Sequence, residues 1–146
     1  MEQKEKLVVN RMYQDATVGM LAIDKILKKV KDETLKRLFK KQFTIYEKFA
    51  NRCDVLAMEN EFDIKENSFF KKLKQTAMLY FSLWSDSSNR HIVELMITGN
   101  VMGVIDSIKI QHDLKTKNEE LTAMVVEFRE MQEDFYEKLK KQLARV

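Results

Sequence analysis

The sequence predicts an all-α protein: four long helices packed as an antiparallel bundle, with a shorter fifth helix in the middle connection. Two observations carry this. Over 146 residues there is no proline and only three glycines, against roughly 5% and 7% in average proteins. The chain therefore lacks the residues that build many tight turns, sheets or long structured loops. Phe, Leu, Ile, Val and Met also alternate with Lys and Glu at three- and four-residue spacings, which suits long amphipathic helices. The length fits a single domain over residues 1–146 that buries a core without staples.

The first helix is expected from about Glu2 to Lys29, with Val9, Met12, Ala16, Met20, Ile23, Leu27 and Val30 drawing one stripe. Lys28, Lys29 and Lys31 suit its C-terminal turn, where the helix dipole favours cations. Asp32 is a good N-cap for the second helix, expected from about Glu33 to Asn60 on a stripe of Leu35, Leu38/Phe39, Gln42, Ile45/Tyr46, Phe49, Cys53 and Leu56. Gln42 is the polar member at an apolar phase. The short connection makes these two helices antiparallel neighbours. After a polar stretch, Asn60–Asn67, comes the short helix at about Ser68–Trp84, rich in Phe69, Phe70, Leu73, Tyr80, Phe81 and Trp84. Ser85-Asp86-Ser87-Ser88-Asn89 then interrupts, because such side chains favour caps over helix interiors. The fourth helix, about Ser87–Asp113, is apolar on more than one side and is expected to be the most buried. The fifth, from about Lys117, carries the cleanest stripe: Leu121, Met124/Val125, Phe128, Met131, Phe135, Leu139 and Leu143. The connection from Asn60 to Asp86 covers roughly 40 Å if helical. That is long enough for the crossover of ferritin-like folds, in which the second and third bundle helices run parallel.

Charge and cysteine narrow the function. The 26 basic and 23 acidic residues leave a net charge of +3, which describes a solvated surface. Basic clusters such as Lys36/Arg37/Lys40/Lys41 and Lys138/Lys140/Lys141 are spread over the chain, and acidic residues are interleaved with most such clusters, so no nucleic-acid partner is expected. No membrane partner is expected either: the N-terminus is no signal peptide, and the longest apolar cluster, Ala77–Trp84, falls short of the ~20 residues that span a bilayer. The single cysteine, Cys53, allows no internal disulfide and reads as a small core residue in a reducing, cytoplasmic setting. The surplus of aromatic residues on the short helix (Phe69, Phe70, Tyr80, Phe81, Trp84) predicts a homodimer interface. Any other protein partner is unknown.

Two blocks carry a resemblance. Met12-Tyr13-Gln14-Asp15-Ala16 with Gly19 and Ala22-Ile23, followed by Lys29-Val30-Lys31-Asp32, is one. The other is Ser88-Asn89-Arg90-His91-Ile92-Val93-Glu94-Leu95-Met96-Ile97 with Gly99 and Met102-Gly103-Val104. Together, with a looser match from Glu127-Phe128 through Phe135, they resemble an uncharacterised bacterial ferritin-like helical family. The resemblance implies a ferritin-like four-helix bundle with the additional short helix in the crossover, and no established activity.

A di-iron bundle needs a Glu from each of two helices and a Glu-x-x-His from each of the other two. Residues three apart share a helix face, so one helix can then offer an oxygen and an imidazole nitrogen to the same metal pair. The chain has no Glu-x-x-His and only two histidines, His91 and His112. His91-x-x-Glu94 runs in the reverse order. A standard ferroxidase site is therefore not expected. His91 and Glu94 are the candidate metal ligands of a divergent site, for iron or manganese, with Asp15, Glu47 or Glu130 as carboxylates from other helices. As buried polar residues the candidates are Asp15, Gln42, His91 and Glu94. The glycines fall inside helices, with Gly99 and Gly103 on one face of the fourth, and suggest close helix approach. The nine methionines read as core filler. The expected function is that of a structural, binding or regulatory protein, and the rival is a metal-dependent oxidoreductase or iron-handling protein.

Overall fold

A computed structural model describes residues 1–65, 71, 72, 74, 75, 77, 78 and 85–146. Among them lie four helices and no strand: α1 (Gln3–Leu27), α2 (Glu33–Glu59), α3 (Asn89–Asp113) and α4 (Glu119–Arg145). These are the four long helices predicted, with ends within two residues of expectation. The expected short helix, with Phe69, Phe70, Tyr80, Phe81 and Trp84, lies largely outside the described residues.

Three helices begin on side chains that the sequence supplies for that purpose. Asp32 accepts a hydrogen bond from the Leu35 amide at 2.9 Å, Ser88 from His91 at 3.3 Å, and Asn118 from Leu121 at 3.1 Å. Each satisfies an amide that the helix itself leaves unpaired. Asp32 also receives the Arg145 guanidinium on both oxygens, at 2.7 and 3.2 Å, which ties the last turn of α4 to the first turn of α2. α2 ends differently. Glu61 takes a left-handed conformation, φ 55°, and the Phe62 amide reaches back to the Ala57 carbonyl at 3.0 Å, the closing bond of a Schellman motif.

Contacts between helices fix their directions. From one end of α2 to the other, Asp32 meets Arg145, Tyr46 meets Gln132, and Arg52 meets Glu127. The partner number falls as the α2 number rises, so α2 and α4 are antiparallel. Glu5 meets Thr116 and Arg11 meets Asp106, so α1 and α3 are antiparallel too. The short connections make α1–α2 and α3–α4 hairpins. α2 and α3 therefore run the same way, and the chain between them must travel the length of the bundle.

The stripes meet in one core. Met12, Ile23 and Ile26 of α1, Leu35 and Phe39 of α2, Ile92 and Ile110 of α3, and Leu121, Phe128 and Phe135 of α4 are fully buried. Phe49 and Phe128 meet edge to face at 5.2 Å, as do Tyr46 and Phe135 at 6.5 Å. Cys53 sits in this core, and burial pushes its thiol up to about 12. The expectation for α3 is corrected. It buries Ile92, Val93 and Met96 inward, but Met102, Ile105 and Ile108 face solvent. A helix apolar all round has no phase that sequence alone can choose.

Candidate functional site

The bundle core holds a polar layer near its middle, to which α2, α3 and α4 contribute side chains. Tyr46 of α2 donates its phenolic hydrogen to Gln132 Oε1 of α4 at 2.7 Å. Asn100 of α3 donates to the Gln132 carbonyl oxygen at 3.1 Å and to its Oε1 at 3.4 Å. Gln42 of α2, one turn from Tyr46, points its amide at the Met131 sulfur at 3.0 Å. Gln132 and Asn100 are only 2% and 5% exposed, so each unmade hydrogen bond here would cost about 1–3 kcal/mol. The phenol is pushed far above its ordinary range by burial, and stays a neutral donor.

Glycines let this layer close. A Cβ on Gly19 of α1 would stand 2.6 Å from the Tyr46 ring, and one on Gly103 of α3 would stand 2.7 Å from Gln132 Nε2. Gly99 has nothing within 4 Å. The expected close approach therefore holds for Gly103 and Gly19, and is corrected for Gly99, which lies on the open side of α3.

Beside the layer lies a carboxyl pair. Asp15 of α1 and Asp106 of α3 are within hydrogen-bonding reach. Burial, reinforced by Asp106, raises Asp15 well above the usual carboxylate range. Burial works the same way on Asp106, but the hydrogen bond from Asp15 and the Arg11 guanidinium together hold it below that range. Arg11 bonds Asp106 directly. The two directions are opposite: Asp15 favours its protonated form and Asp106 its ionised form, as adjacent carboxyls do. Two buried acceptors close by, Asp15 Oδ2 and Asn100 Oδ1, lack a hydrogen-bond donor.

Of the residues expected inside, Gln42 is buried, and Asp15 is half-buried with its Oδ2 shielded from solvent. Glu94 is corrected: it is exposed, and His91 is half-buried beside it at the first turns of α3. Their side chains do share a face, with Nδ1 and Oε2 3.6 Å apart, but that face looks outward. Ile92 and Val93 take the inward positions of that turn. Glu47 and Glu130 are also exposed, so they do not join Asp15 in the core. His112 lies at the last turn of α3, 3.1 Å from Asp113. Among the described residues no three His, Cys, Asp or Glu side chains converge as a metal centre requires.

Sequence reasoning missed Gln132, Asn100, Asp106 and Arg11. A signal for Gln132 was present. It stands between Phe128 and Phe135 at core spacing, as Gln42 stands between Phe39 and Tyr46.

The fold and this interior define an all-α four-helix protein with a hydrogen-bonded polar core. Comparison with protein-family models, with curated proteins and with solved structures finds no match.

Proposed function

We propose that the chain is a ferritin-like bundle that serves as a structural, binding or regulatory protein in a reducing, cytoplasmic setting, without a di-iron centre. One observation carries this: the inward polar positions of α2, α3 and α4 hold amides and a phenol that bond one another. Iron-oxidising bundles place anionic carboxylates and imidazoles at such positions. Amide and phenol groups already paired with each other make poor ligands for a hard divalent cation. The direction of the helices and the long path from α2 to α3 support the ferritin-like topology.

A second reading has one observation in its favour. His91 and Glu94 stand 3.6 Å apart and offer a nitrogen and an oxygen to iron or manganese, as an iron-handling protein would need. Elemental analysis of protein produced with both metals supplied separates the two readings, with His91→Ala and Asp15→Ala as controls. The first reading expects less than one metal per ten chains in all three proteins, as roughly sub-stoichiometric trace. Stoichiometric metal that disappears in His91→Ala would overturn it.

A further inference from the structure

The outward side of α3 carries three of the exposed large hydrophobic residues on one helix face. Met102, Ile105 and Ile108 are 56%, 48% and 39% exposed, and Thr98 and half-buried Val101 continue the stripe toward the helix start. With Glu94 and His112 at its ends the stripe follows alternating four- and three-residue steps, the spacing of a helix that pairs with another helix. The one charged residue between Glu94 and Lys109 is Asp106, which is half-buried and bonded to Arg11 of α1.

The charges at its two ends say what that other helix is. Arg90 and Glu94 flank one end, Lys109 and Asp113 the other, and all four are exposed. Place a second α3 antiparallel, with the two-fold axis between Val101 and Met102. Arg90 then lies level with Asp113 of the other copy and Glu94 with Lys109, twice over by symmetry. Thr98 comes level with Ile105, and Val101 with Met102. A parallel pairing in the same register would set every charge against its like. The pattern is self-complementary under one symmetry operation, as an isologous interface must be, and complementary charge is what fixes register and orientation in such contacts.

We propose that this face of α3 binds the same face of a second copy, forming an antiparallel two-fold dimer. One helix pair buries less than the roughly 1,200–2,000 Å² of standard stable interfaces, so the dimer is one of micromolar strength.

The test is sedimentation equilibrium of the full chain from about 1 to about 200 µM. Wild type is expected to pass from monomer to dimer across that range. Ile105→Glu, at an exposed position, keeps the helical circular dichroism and weakens dimerisation by about tenfold or more. Glu94→Lys and Lys109→Glu each weaken it, and the double exchange restores it at low salt. A monomer at the highest concentration overturns the proposal and means that another part of the chain, another protein or a lipid surface covers the stripe; flotation with anionic vesicles identifies the last. A dimer unaffected by Ile105→Glu overturns it as well, as does a double exchange that fails to restore association.

Discussion

Asp15 is the residue whose chemistry differs most from its ordinary behaviour. Its raised carboxyl means that the native state keeps a proton the unfolded chain has released. Stability from this source is complete below the unfolded value of about 3.9. It is lost as pH rises through the higher folded value. Asp106 has the opposite sign: its contribution is present above the unfolded value and is lost as pH falls through its lowered folded one. Asp15→Asn isolates the first effect, since an amide still donates to Asp106 and never ionises. Urea unfolding of the two proteins should therefore diverge above about pH 4, with the variant gaining on wild type as pH rises. Parallel curves from pH 4 to 8 would show that Asp15 titrates normally.

The glycines offer a second residue-scale contrast. Ala at Gly99 meets open space and should stabilise by up to about 1 kcal/mol through helix propensity. Ala at Gly19 gains the same propensity but drives into the buried Tyr46 ring, for a net cost of roughly 1–2 kcal/mol. Thermal unfolding of both variants checks the pair, and equal shifts would mean that α1 and α2 do not approach as closely as described.

Among the elements, α2 shows most clearly how local chemistry sets a boundary. Its start was legible because Asp32 is a capping side chain just before an apolar periodicity. Its end was less so, because nothing marks Glu61 as the residue that turns left-handed. An L-residue there costs about 1 kcal/mol, so Glu61→Gly should raise stability by roughly 0.5–1 kcal/mol; an unchanged or lower unfolding midpoint would contradict that geometry. α3 was the least legible helix. Its apolar residues surround the axis, and the choice of inward side was made by Asn100 and Asp106, whose partners Gln132 and Arg11 lie on other helices. That is also why His91 and Glu94 were expected inside. Their three-residue spacing correctly placed them on one face, but only the packing of Ile92 and Val93 decided which face it was.

At the scale of the whole molecule, the four-helix architecture was readable from periodicity and from the absence of proline. The polar layer was only half readable. Gln42 stood out by phase and Gln132 shares its kind of spacing, Asp15 was a candidate without a phase to place it, and Asn100 looks like a surface residue until Gln132 is seen bonded to both it and Tyr46. The pairing of Asp15 with Asp106 joins helices far apart in sequence, and no local pattern encodes it. The same layer argues for fold specificity as a role: a slip of α4 by one turn would leave Gln132, Asn100 and Tyr46 unpaired in a dry interior, at about 1–3 kcal/mol each. Gln132→Leu should then cost about 1–3 kcal/mol, since it strands the Tyr46 hydroxyl while Asn100 keeps its bond to the backbone carbonyl of residue 132; urea unfolding measures it, and a neutral result would mean that the network holds no register.

The parallel course of α2 and α3 has a mechanical corollary. Because α1 and α4 then also run the same way, Gln3 lies beside the α3–α4 turn and Arg145 beside the α1–α2 turn, at opposite ends of the bundle. Tension applied through the two termini loads the helices lengthwise. The core must slide in shear, with many side-chain contacts resisting at once, rather than peel open one turn at a time as it would in an up-down-up-down bundle whose ends lie together. A chain built this way transmits pull along its long axis.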